Sequence, residues 1–355
     1  MFRLWMWSLL AFAVAWLPET AAAEPAPARI VAVGDIHGDH DAWLAIASAA
    51  GLINAKGHWA GGQAVLVQLG DVVDRGPDSL KTIRHLMKLR GEASHQGGRV
   101  VVLVGNHEAM NITGDLRYVS QGEYRSYSDR DSEGRRERAY EANRTAIEAA
   151  YKARFPTMTP AAIRTEWFKV TPLGMLEHQA AWLPGGEIGK WVIANPAVAK
   201  IGDNLFVHGG ISSAYAALSP SQINRRVADA LTAKDSRPTA IINDPVGPLW
   251  YRGLISRGEA DEATRAPIPP GMKVPLGIED EIDLALRNFG VKRIIVGHTP
   301  SLQGIISSAN GRLWRADSAI SRAYGGKPSY LEIVGDQVTA HEVPRPPAKP
   351  WGNAQ

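Results

Sequence analysis

Five short segments of this 355-residue chain hold aspartates, histidines and an asparagine at spacings that suit a pair of metal ions. They are Gly34-Asp35-Ile36-His37-Gly38, Gly70-Asp71-Val72-Val73-Asp74-Arg75-Gly76, Gly105-Asn106-His107-Glu108, Val207-His208-Gly209-Gly210 and Gly297-His298-Thr299. Two divalent ions a few ångströms apart need a bridging carboxylate among nitrogen and oxygen donors. Asp35, His37 and Asp71 suit one ion. Asp71, Asn106, His208 and His298 suit the other, with Asp71 shared. A hydroxide held between two such ions is a strong nucleophile at neutral pH, because metal binding lowers the pKa of water from about 15.7 toward about 7. His107, next to Asn106, is free to protonate a leaving group, and Asp74 suits the carboxylate that fixes its tautomer. Arg75 offers a planar fork of donors matched to phosphate oxygens. Mixed donors of this kind suit Mn, Fe and Zn almost equally, so two divalent or trivalent ions are expected without a named element. A lone Gly-Asp-x-His-Gly is more often a turn than a site. The weight lies in the joint occurrence of all five segments.

The elements that must position these residues are also legible. Three segments follow apolar, β-branched runs: Arg29 to Val33, Ala64 to Leu69 and Arg99 to Val104. Such runs read as buried strands, which puts the polar residues at strand carboxyl ends, where ligand sites of α/β sheets collect. Asp41 is expected to cap a helix running to about Ala50. Pro77 and Asp78 are expected to open another that ends near Arg90, with Gly91 as its stop. Residues 112–190 break the alternation with a dense polar mix, and Arg117 to Tyr151 reads mostly helical. The charged run from Asp129 to Arg138 reads as a solvated face. Trp167, Phe168, Leu173, Met175, Leu176, Trp182 and Leu183 are expected to bury one side of this insertion. It enters directly after Asn106-His107, so it should overhang the site and shape access to it. Strand patterns then return. Ala199 to Val207 leads into His208, and Lys292 to Val296 into His298. Ser219-Pro220 opens one helix, Ile278 to Phe289 forms another closed by Gly290, and hairpin turns are expected at Asn310-Gly311 and Gly335-Asp336.

The five segments resemble the phosphoprotein phosphatase group of the calcineurin-like metallophosphoesterases, whose signature GDxHG, GDxxDRG, GNHE, HGG and a later GH stands here unaltered. The resemblance implies an α/β fold: a two-sheet β-sandwich built from βαβαβ units, flanked by helices, here with a helical insertion. It implies Asp35, His37, Asp71, Asn106, His208 and His298 as metal ligands. It also implies His107 as proton donor with Asp74 as its partner, and Arg75 and Asn106 as phosphate contacts. Two further stretches, Asp244 to Gly253 and Ala316-Asp317-Ser318 with Ala323-Tyr324-Gly325-Gly326, resemble the Shewanella-like protein phosphatases. That narrower resemblance implies Arg252 as a second phosphate arginine and protein phosphatase activity with a tyrosine preference. It also leads one to expect Gly after the Asp-Ser pair, where this chain has Ala319.

Residues 1–23 read as a signal peptide. Arg3 is basic, Leu4 to Leu17 is apolar but short for a membrane span, and Ala21-Ala22-Ala23 fits the small-x-small cleavage rule. The mature chain would then begin at Glu24, in the periplasm or outside the cell, with no stable membrane insertion. Residues 24–28 read as a linker, 29–343 as one phosphoesterase domain with its insertion at about 112–190, and 344–355 as a Pro-rich surface tail. With no cysteine, disulfides, thiolate ligands and lipoprotein anchoring are excluded, which suits an oxidising compartment. A net charge of +3, from 39 basic and 36 acidic residues, suits phosphorylated substrates and lacks the basic stripe of a nucleic-acid binder. The expected substrate is a phosphorylated protein. The rival readings are a small-molecule phosphatase, a nucleotide-polyphosphate hydrolase akin to diadenosine tetraphosphatases, and a non-catalytic binding protein on the same fold. Against the last stand the intact Asp71, Asn106, His107 and Arg75. His40, His58, His85, His95, His178 and His341 lack partners at ligand spacing and read as structural.

Overall fold

The computed structural model describes residues 27–257 and 276–347. The signal segment 1–23, most of the linker and residues 348–355 of the tail lie outside the described residues. Two five-stranded sheets form the centre. The first holds β1 (Ile30–Val33), β2 (Val65–Gln68) and β3 (Arg99–Val102), with the C-terminal hairpin β9 (Ser329–Val334) and β10 (Gln337–Glu342), in the order β10-β9-β1-β2-β3. The second holds β4 (Val198–Ile201), β5 (Asn204–Val207), β6 (Arg293–Val296), β7 (Ile306–Ser308) and β8 (Leu313–Arg315), in the order β4-β5-β6-β8-β7. β1, β2 and β3 run parallel, as do β5, β6 and β8.

The continuous apolar runs follow from burial on both strand faces. Ala32, Val65, Val67, Leu69, Phe206, Ile295 and Leu331 fill the space between the sheets. The opposite faces lie under helices, where Val31, Val33, Leu66, Val100, Leu205 and Val296 join Trp43, Ile46, Ile83 and Leu86 in the larger core. α1 (His40–Ala49) links β1 to β2, and α2 (Ser79–Ser94) links β2 to β3. The parallel order of the first half is thus that of two βαβ crossovers. α3 (Asn106–Thr113) opens the insertion, followed by α4 (Gln121–Tyr127), α5 (Ser132–Arg154), α6 (Pro160–Val170), α7 (Met175–Trp182) and α8 (Glu187–Ile193). α9 (Pro220–Thr232) and α10 (Ile278–Phe289) cover the second sheet.

Several local expectations need correction. α1 is capped by Asp39, whose carboxylate accepts the Ala42 N–H at 3.1 Å, while Asp41 lies in the first turn. α2 runs past Gly91 to Ser94, because buried Leu89 and Ala93 hold its last turns in the core. In the insertion Trp182 is buried as expected, but Leu173 and Leu183 are exposed. Tyr140 and Ile163 take the interior positions instead, with Trp167 and Phe168 packed on Tyr140. The run Asp129 to Arg138 is largely solvated, yet Arg135 reaches Glu177 and fastens α5 to α7. The start of the tail is tied down: Arg345 donates to Asp39 at 3.2 Å and to the Gly326 carbonyl at 2.6 Å. Both hairpins turn where expected.

Candidate metal centre

Each of the five segments leaves the carboxyl end of a strand or the loop just beyond it, and all five meet at one edge of the two sheets. Asp71, after β2, stands at the middle. Its Oδ2 lies 3.8 Å from His37 Nε2 and 3.9 Å from His107 Nε2, and its Oδ1 lies 3.3 Å from His208 Nε2. Asp35 lies 4.0 Å from both His37 and His208. Asn106 Oδ1 lies 2.9 Å from His208 Nε2. His37, Asp71 and His107 form one cluster of donor atoms and Asp71, His208 and His298 a second, each within 4.8 Å and both sharing Asp71. The six ligand residues read from the sequence are therefore brought together, and all are buried.

The donor set fits metal ions on its own chemistry. His37 Nδ1 bonds the Val73 carbonyl at 2.8 Å and His208 Nδ1 the Leu69 carbonyl at 2.8 Å. A carbonyl accepts only from N–H, so each Nδ1 carries a proton, and His37, whose pKa is lowered, turns an Nε2 lone pair toward Asp71. Metal-ligating imidazoles are commonly oriented this way. His298 Nε2 is buried with no hydrogen-bond partner among the described residues. Burial lowers His37 to about 3, and burial followed by the neighbouring His208 lowers His298 to about 2, so both are neutral donors. Burial, then Asp317 and Asp71, raises Asp35 well above the carboxylate range. Buried like charges of this kind call for a cation between them.

The backbone is bent to achieve this. His37, Asp71, Asp74, Arg75 and His298 all adopt positive φ, from 46° to 70°. Such conformations are uncommon for non-glycine residues and concentrate at functional sites. Glycine is required where chains touch: a Cβ on Gly105 would collide with Asp71, and one on Gly297 with Asp35.

His107 belongs to the first donor cluster and is also held by a second carboxylate. Its Nδ1 lies 2.5 Å from Asp74 Oδ2, and its backbone N–H donates to Asp71 Oδ1 at 3.0 Å. Asp74 also accepts from Asn111 at 3.0 Å. Burial disfavours the imidazolium, but Asp71 and then Asp74 outweigh it and raise the His107 pKa. Arg75 lies between the rings of Tyr118 and Tyr324. Arg252 donates to the His298 carbonyl at 3.1 Å, which brings it to the same site.

Sequence reasoning assigned no role to two buried acids here. Glu108 accepts from the backbone N–H groups of Asp71, Val72 and Gly105 at 2.8–2.9 Å, tying the β2 and β3 loops together. Burial, then Asp71, pushes it to about 7. The signal was its place three residues after Gly105, the capping-box spacing. Asp317 hydrogen-bonds Asp35, and burial pushes it to about 6. Its segment was singled out, but not the residue. Next to it Ala319 holds φ +55°, the left-handed conformation that explains why glycine was expected there. His40 lies apart, bonded to Thr82 at 3.1 Å, and His58 pairs with Glu92 at 2.6 Å.

Comparison with known proteins agrees with this geometry. The chain is 32% identical over 318 residues to Shewanella-like protein phosphatase 2 of Arabidopsis thaliana, covering 87% of this chain and 76% of that protein. It is 27% identical to Shewanella-like protein phosphatase 1 of Plasmodium berghei, covering 88% and 73%. The crystal structure of the cold-active protein-tyrosine phosphatase of a psychrophilic Shewanella superposes with a TM-score of 0.62 at 25% identity, over 89% of this chain and 80% of that one. The calcineurin-like phosphoesterase family matches residues 28–302. With two donor clusters sharing Asp71 at the strand ends of a two-sheet fold, the chain belongs to the calcineurin-like phosphoesterases and is a metal-dependent phosphatase.

Proposed function

We propose that the chain is an exported phosphomonoesterase that acts on phosphorylated proteins and prefers phosphotyrosine. The observation that carries the catalytic part is the Asp74–His107 pair, 2.5 Å apart beside the shared Asp71. Asp35, His37, Asp71, Asn106, His208 and His298 would hold two ions, which would supply Lewis acidity and activate a water. The chain's own residues do the rest. Asp74 holds the proton of His107 at Nδ1 and turns Nε2 toward the site, where it gives a proton to the leaving oxygen. Arg75, Arg252 and Asn106 take the phosphoryl oxygens, the arginines by charge-assisted hydrogen bonds. Glu108 keeps the β2 and β3 loops in register beneath them.

The tyrosine preference rests on the Shewanella structure, described as a protein-tyrosine phosphatase, and on the partly exposed ring of Tyr118 against His107. Export rests on the order of basic, apolar and Ala-Ala-Ala segments in residues 1–23. The test is turnover by metal-loaded enzyme of matched phosphotyrosine and phosphoserine peptides and of diadenosine tetraphosphate. Higher kcat/KM on the phosphotyrosine peptide is expected. Preferred cleavage of the dinucleotide would replace this reading with that of a nucleotide-polyphosphate hydrolase.

A further inference from the structure

The loop that carries Asp74 and Arg75 is held from outside itself. Both residues adopt left-handed φ, +70° and +66°, which non-glycine residues keep only where their surroundings impose it. The insertion supplies much of that surrounding. The Arg75 backbone N–H donates to the Tyr118 carbonyl at 2.9 Å, and the Ser120 hydroxyl donates to the Gly76 carbonyl at 3.1 Å. Buried Glu123, from α4, accepts the Ser79 hydroxyl at 2.7 Å on the far side of the loop.

The Arg75 side chain is fixed by rings. Its guanidinium carbon lies 4.7 Å from the Tyr118 ring centre and 4.8 Å from the Tyr324 ring centre. Its Nε is buried with no hydrogen-bond partner among the described residues. The same two rings pack on the imidazoles of the site, Tyr118 on His107 at 5.0 Å and Tyr324 on His37 at 5.4 Å. Tyr118 comes from the insertion and Tyr324 from the segment between β8 and β9. The chemistry of this arrangement differs from that of an ion pair. A carboxylate partner would occupy the guanidinium fork, whereas ring faces attract the cation and leave its in-plane N–H groups unused. A fork held flat in this way loses little freedom when it meets two phosphate oxygens.

We infer that Tyr118 and Tyr324 are positioning residues that clamp the Arg75 guanidinium between their faces, so that the helical insertion sets phosphate affinity through Arg75. The inference rests on the proposed role of Arg75 in holding phosphate. It separates from another use of Tyr118, stacking on the aromatic ring of a substrate, because inorganic phosphate has no ring.

The experiment measures the inhibition constant of inorganic phosphate against p-nitrophenyl phosphate hydrolysis by the two-metal holoenzyme. Tyr118→Leu keeps the backbone carbonyl that Arg75 bonds and removes the ring. It should raise that constant about tenfold, within the range of a desolvated cation–π contact, with metal content and Tm retained. Tyr118→Phe should restore the parent value, since the ring and not the hydroxyl does the holding. Tyr324→Leu should act like Tyr118→Leu and serves if the latter fails to fold. In an Arg75→Ala background Tyr118→Leu should add nothing. A parent-like constant in Tyr118→Leu, or an equal rise with and without Arg75, overturns the clamp. An Arg75→Ala enzyme with the parent constant overturns the role of Arg75 itself, and the clamp with it.

Discussion

Asp71 is the residue on which both donor clusters depend, since His37 and His107 face one of its oxygens and His208 the other. Asp71→Asn should therefore cost more metal than any other single ligand change. Elemental analysis should find the content falling to below one ion per chain, and retention of both ions with normal turnover would place the bridge elsewhere. His107 makes a different prediction, because its Nδ1 is committed to Asp74. A p-nitrophenolate leaves without help, while the alkyl oxygen of phosphoserine needs a proton in the transition state. His107→Asn should lose about 10²–10⁴-fold in kcat/KM on phosphoserine, much less on p-nitrophenyl phosphate, and an intermediate amount on phosphotyrosine. Asp74→Asn should follow the same order at smaller size, since it acts through His107. An equal loss on all three substrates, with metals retained, would mean that His107 donates no proton in the chemical step.

The insertion is where elements rather than residues decide the site. α4 and α7 meet so closely that a Cβ on Gly174 would collide with the Tyr124 carbonyl, and Gly174 holds φ +88°. Around that contact His178 lies buried among Tyr124, Tyr127 and Trp182. Gly174→Ala adds left-handed strain of about 1–2 kcal/mol to the collision. It should loosen α4 and α7 before the sheets. Hydrogen exchange should rise in residues 121–182 while strands β1 and β2 stay protected, and phosphate should inhibit more weakly because Tyr118 enters α4 through the same segment. Unchanged exchange in α4 would show that the two helices dock independently of this contact.

The whole molecule packs two sheets face to face, so that their strand carboxyl ends meet along one edge. Asp35, Asp71 and Asn106 come from the first sheet, and His208 and His298 from the second. Residues of Leu69, Phe206, Ile295 and Leu331 type between the sheets thus hold the ligand geometry as well as the fold. At this scale the remaining expectation is export. Amino-terminal sequencing of the processed protein should begin at Glu24. A membrane-bound product that still begins near Met1 would show that residues 1–23 act as an anchor.

The sequence alone picked out the candidate ligands that the fold brings together. Asp35, His37, Asp71, Asn106, His208 and His298 each stand in a short segment whose glycines and preceding apolar run specify a strand end, so local order carries the information. The same holds for Asp74 and His107 and for both hairpin turns. Tertiary structure alone decided what acts across long separations. Tyr118 and Tyr324 meet Arg75 from opposite parts of the chain, and a tyrosine in a loop has no local mark of that use. Arg345 reaches Asp39 from a tail that reads as surface. Gly91 reads as a helix stop but does not end α2, because burial of Leu89 and Ala93 outweighs the roughly 1 kcal/mol that glycine costs within a helix. Local pattern fixes which residues can bind metal, whereas the packing of distant segments fixes how the residues around them are aimed.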